Sequence, residues 1–141
     1  MKDEILPMFI IMFISGLLST MNLYVDNLDD IRWSVNDVYM SLMMCGWMFL
    51  FWGIFYKIIN QVIIGILILI ISFCSIRTQF LVTPKQYLKG MIPHHSMAVK
   101  MSKELIQNKK IDEELTNIAN NIILTQKEEI KQMKNIEKKS C

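Results

Sequence analysis

Three long apolar runs dominate the first half of the chain. Ile5–Val25 runs 21 residues without a charge, and Val38–Tyr56 and Ile58–Ile76 run 19 each. A bilayer core takes roughly 20 apolar residues per helix, so each run predicts a transmembrane helix. Buried helices of a soluble protein would carry a polar stripe, and these show almost none. Trp33, Trp47, Trp52 and Tyr56 flank or line the second run, partly matching an interfacial aromatic belt. The first run is too long for the apolar region of a cleaved signal peptide, and Asp3 and Glu4 spoil a basic leader, so it is expected to be retained.

Beyond residue 76 the apolar positions become periodic. Thr83-Pro84-Lys85-Gln86 predicts a capping box with proline at the first helical position. Tyr87, Leu88, Met91, His94/His95, Ala98, Met101 and Leu105 then recur at helical spacing. Pro93 inside this helix removes a hydrogen bond and predicts a kink or local opening just before the histidines. Asn108-Lys109-Lys110 is a polar break, and Asp112 is placed as the N-cap of a second helix. That helix carries the stripe Leu115, Ile118, Ala119, Ile122, Gln126, Glu129/Ile130, Met133 and Ile136, and ends near Lys138-Lys139.

The expected fold is therefore all-α: a three-helix membrane region, residues 1–76, followed by a helical hairpin, residues 77–141. Two helices cannot bury both faces, and about 60 residues are marginal even when fully packed. Dimerisation into a four-helix bundle is the expected completion, with packing of the tail on the acidic loop after the first span as the alternative. Three spans place that loop and the tail on one side of the membrane.

Charge sharpens this division. Residues 1–76 hold three basic and six acidic residues; residues 77–141 hold twelve and seven. The basic tail interleaves its lysines with glutamates, which points to a solvated helix surface rather than a nucleic-acid binder. Lys2 and Lys57 oppose Arg32, Arg77, Lys85 and Lys89, a bias that by itself places the tail in the cytoplasm.

The chemistry concentrates in Met91–Met101, which holds both histidines and three of the twelve methionines. Imidazole nitrogen and thioether sulfur are neutral ligands that suit copper(I), and no acid or cysteine interrupts the segment. Copper therefore ranks ahead of zinc. A histidine pair solvated or packed at a dimer seam is the alternative, and haem ligation by His and Met a further one. The stripe Met40, Met44, Met48 reads as helix packing before it reads as a thioether path for copper(I). Cys45, Cys74 and Cys141 show no ligand spacing; the first two read as small hydrophobes, and the terminal one can cross-link chains in an oxidising compartment. No nucleophile with an adjacent base, phosphate loop or Glu-x-x-His motif is present, so an enzyme is not expected.

The run Met91-Ile92-Pro93-His94-His95-Ser96-Met97-Ala98, followed by Ile122–Met133, resembles the copper-binding bacterial family known as domain of unknown function 305. The resemblance covers roughly residues 77–137. A subgroup with three membrane helices is similar at Met21-Asn22-Leu23-Tyr24 and at Met40, Met43, Met44 and Met48. The resemblance implies a ferritin-like helical bundle facing the periplasm or cell exterior, with copper bound by His and Met. Carried over by position, it makes His94, His95, Met97, Met101 and Met133 candidate ligands, with Met91 a weaker one. Gln126 and Glu129 match polar positions able to orient the imidazoles. Lys57-Ile58-Ile59-Asn60 is less basic than the subgroup pattern, which bears on orientation. The resulting expectation is a membrane-anchored protein that buffers, handles or gives tolerance to copper; a metal-free oligomerisation module is its rival.

Overall fold

A computed structural model describes residues 5–108 and 110–139. Lys2, Asp3, Glu4, Lys109 and Cys141, all used above, lie outside the described residues. Five α-helices account for the fold: α1 Ile5–Leu18, α2 Val35–Phe55, α3 Ile59–Thr78, α4 Pro84–Asn108 and α5 Glu113–Lys139, with short 3₁₀ turns at Met21–Tyr24 and Leu28–Asp30. The described residues contain no strand. Three segments are long and apolar enough to cross a membrane: Ile5–Tyr24, Val35–Phe55 and Ile59–Thr78.

The helices sort into two compact units. One joins Met1–Thr20 to Val35–Val82; the other joins Met21–Ser34 to Thr83–Cys141. Residues 21–34, which precede α2 in sequence, group with the tail in the second unit. Loop and tail thus pack together within one unit, the alternative to completion of the hairpin by a second copy.

In the first unit, α2 and α3 pack antiparallel at glycines. A Cβ on Gly53 would stand 2.6 Å from Val62 N, and one on Gly65 2.6 Å from Leu50 N. Small residues let two apolar helices approach to backbone contact, which compensates for the weak hydrophobic drive between helices in lipid. The outward surface of α3 is aliphatic, with Ile63, Ile66, Leu67, Ile70 and Ile71 all exposed. Cys45 is fully buried, whereas Cys74 is exposed and does not share its packing role. Met40 and Met44 are likewise exposed, so within one chain they are not helix-packing residues.

In the second unit, Thr83 Oγ1 accepts from Gln86 N at 3.3 Å and Asp112 Oδ1 accepts from Leu115 N at 2.7 Å. Both expected N-caps are formed. The core is Ile92, Val99 and Ile130, with Ile123 and Met133 against it. The buried line of α4 is Leu88, Ile92, Ser96, Val99 and Ser102, one step round from the expected stripe. Tyr87 and Met101 are exposed, and so are Leu115, Ile118 and Ile136 on α5. A reading by hydropathy passes over Ser96, yet a serine is easily buried once its hydroxyl has partners. Segment 21–34 supplies them.

Candidate metal centre

Helix α4 continues through Pro93, whose ring is buried. The expected local opening is absent: proline removes one amide, but a single lost bond to Lys89 is tolerated when both sides of the helix are otherwise held. His94 and His95 therefore stand about 100° apart on a regular helix, and they face different elements.

His94 is exposed and turns to the 3₁₀ turn that follows α1, with its Nδ1 3.3 Å from Met21 Sδ. His95 turns to α5. Its side chain is 13% exposed, and Nδ1 lies 2.9 Å from Glu129 Oε2. The carboxylate lies beside Nδ1 but out of line for a proper hydrogen bond, so it sets the place of the ring by proximity. The two rings are 6.0 Å apart between centroids and inclined by 66°.

The other sequence candidates distribute around these pairs. Met91 and Met97 are half-buried, three residues on either side of His94 and so on its face of the helix. Met101 is 59% exposed and lines an open cleft with Tyr24 and Leu105. Met133 packs against the Ile92–Val99–Ile130 core, which gives it a packing role of its own. Gln126 is half-buried on α5, three residues before Glu129.

Met21, quoted above only within Met21-Asn22-Leu23-Tyr24, was not among the expected ligands, yet its sulfur stands beside His94. The signal available for it was topological: an odd number of spans returns the end of the first helix to the side of the tail.

Segment 21–34 is fastened at several points. Asn22 brackets Arg32, its Nδ2 donating to Arg32 O at 2.7 Å and its Oδ1 accepting from Arg32 N at 3.0 Å. Ser96 Oγ accepts from Asp26 N at 2.9 Å and donates to Asp30 Oδ2 at 2.6 Å. Lys134 pairs with the buried Asp30, Arg32 with Glu137 at 3.2 Å, and Lys103 with Asp26 at 2.6 Å. The segment thus ties α4 to α5 and closes part of the hairpin that a second copy was expected to close.

No three His, Cys, Asp or Glu side chains gather among the described residues. The donors that do gather are imidazole and thioether, which fit a soft monovalent ion and fit poorly with ions that prefer oxygen.

Residues 82–138 match the family described as Domain of unknown function (DUF305). The chain belongs to this family. It is also 46% identical over 140 residues to "Uncharacterized protein L153" of Acanthamoeba polyphaga mimivirus, covering 96% of this chain and 91% of that protein. No solved structure matches. The DUF305 match spans α4 and α5 and carries both histidines, Met91, Met97, Met101 and Met133. It leaves out segment 21–34, although that segment belongs to the same folded unit.

Proposed function

We propose that this DUF305 protein is a membrane-anchored copper-binding protein that holds copper(I) through imidazole and thioether ligands on α4. Its role is binding, in buffering, handling or tolerance of the metal, without turnover. The observation that carries this reading is an exposed His94 flanked by Met91 and Met97 at three residues on either side. An accessible imidazole with thioethers on its own helical face is a soft, neutral donor set. In this reading His94, His95, Met91, Met97 and Met101 supply donors, and Glu129 positions His95. Copper, when bound, would be held here as cargo; the chain's own contribution is to keep these donors together on a rigid helix.

The three apolar helices span the membrane in this reading, and the tail faces the exterior or periplasm. A second copy covers the apolar residues left exposed on α5, Leu115, Ile118 and Ile136. The same exposed residues favour a second reading, a metal-free assembly module.

Copper(I) titration of the full chain in detergent micelles against a competing chelator separates the two. The expected result is stoichiometric binding by the wild type, lost in the His94→Ala/His95→Ala double variant. A folded wild-type chain that leaves all the metal on the chelator overturns the copper reading and leaves the assembly module.

A further inference from the structure

We propose that Met21, from the turn after the first apolar helix, is a ligand in the His94 site, so that the segment outside the DUF305 match supplies part of the donor set. This inference rests on the copper reading above. Its basis is the 3.3 Å approach of Met21 Sδ to His94 Nδ1 across 73 positions of sequence.

A thioether is a weak hydrogen-bond acceptor, so the contact does little to stabilise an exposed imidazole on its own. Two donors of one metal ion, by contrast, must stand close. Metal–imidazole and metal–thiolate bonds of roughly 2.0 and 2.3 Å, known from zinc sites, separate nitrogen and sulfur by about 3.5 Å at a tetrahedral angle. The observed separation is near that value. Small side-chain movements would admit an ion between the two atoms.

Met21 is also held in place. Asn22, its neighbour, is fixed by two bonds to the Arg32 backbone, and Asp26 and Asp30 are bound to Ser96 and Lys134. A ligand on such a segment is brought to α4 by the fold and does not have to be gathered by the metal, which lowers the cost of binding. Met91 and Met97, on the face of His94, are the candidates for a further sulfur donor. The ligand class is a soft monovalent cation, copper(I) or its silver(I) analogue. No electron or proton transfer is involved.

The test uses the full chain in micelles, with copper(I) or silver(I) as probe and methionine labelled at the ε-methyl carbon. Wild type and Met21→Leu are compared by chelator competition, and the Met21 methyl resonance is identified by its loss in the variant. Mutating residues that merely orient a ligand costs about 10–100-fold in metal affinity, so removing a ligand should cost at least about tenfold. The expected result is that loss, together with a shift of the wild-type Met21 methyl signal on adding metal. Unchanged affinity in Met21→Leu and an unmoved Met21 signal, in a wild type that binds, overturn the inference and leave the copper reading standing. A wild type that binds neither ion overturns both. Should Met21→Leu fold poorly, Met21→Ile supplies both the assignment of the methyl signal and the affinity comparison.

Discussion

Ser96, fully buried on α4, donates a hydrogen bond to Asp30 Oδ2 at 2.6 Å while accepting one from the Asp26 amide at 2.9 Å. One hydroxyl thus fastens both ends of a five-residue stretch of the loop to the hairpin. Ser96→Ala would strand the Asp26 amide and leave Asp30 one bond short. Losing the partner of a buried polar group costs about 1–3 kcal/mol. Hydrogen exchange over residues 21–34 should therefore quicken in Ser96→Ala; protection equal to the wild type would show that the serine does not hold the loop.

The two lysines that pair with this loop should differ in weight. Asp30 keeps only 6% of its side chain exposed, so Lys134→Met leaves a carboxylate buried without its counter-charge. Breaking a buried pair from one side costs about 3–5 kcal/mol, and the partly exposed lysine argues for the lower end. Lys103 and Asp26 are 35% and 24% exposed, and such a pair contributes less than about 1 kcal/mol. Thermal melts of the full chain in micelles should rank Lys134→Met well below Lys103→Met. Equal melts would contradict the burial argument.

Glu129 offers a separation of stability from binding. Its carboxylate is 49% exposed, so Glu129→Gln should leave the melting temperature nearly unchanged. Copper(I) affinity, in the proposed reading, should fall about tenfold, since the carboxylate no longer orients His95. A variant with unaltered affinity would remove Glu129 from the site.

Gly65 sets two effects against each other. Alanine is favoured over glycine in a helix by about 1 kcal/mol. A Cβ there would meet Leu50 N at 2.6 Å and Gly46 O at 2.9 Å, both backbone atoms that move only with their helix. Overpacking of this kind costs about 1–3 kcal/mol, so Gly65→Ala should destabilise the α2–α3 pair. Gly90→Ala is the control: its Cβ would meet Ser34 Oγ at 3.4 Å, an ordinary contact, and propensity should leave that variant as stable as the wild type or more so. A stabilised Gly65→Ala would show that the two helices are not in close contact.

Those features of the fold that depend on neighbours in sequence were legible in the chain alone. Uncharged runs of 19 to 21 residues mark three helices able to span a membrane, because length and hydropathy are local properties. Thr83 and Asp112 mark helix starts, because a cap bonds amides only two or three residues away. The positions of the histidines on one helix follow from the same local rules.

Tertiary structure alone decided what the helices face. Ser96 reads as a surface residue until Asp26 and Asp30, 70 and 66 residues away, satisfy its hydroxyl and make its burial favourable. The same docking turns α4 so that Ile92 and Val99 enter the core while Met101 remains outside. It also brings Met21 to His94 and leaves His95 to Glu129. Adjacent residues on a helix diverge by about 100°, so a His-His pair in sequence becomes two sites or one only when its neighbours in space are chosen.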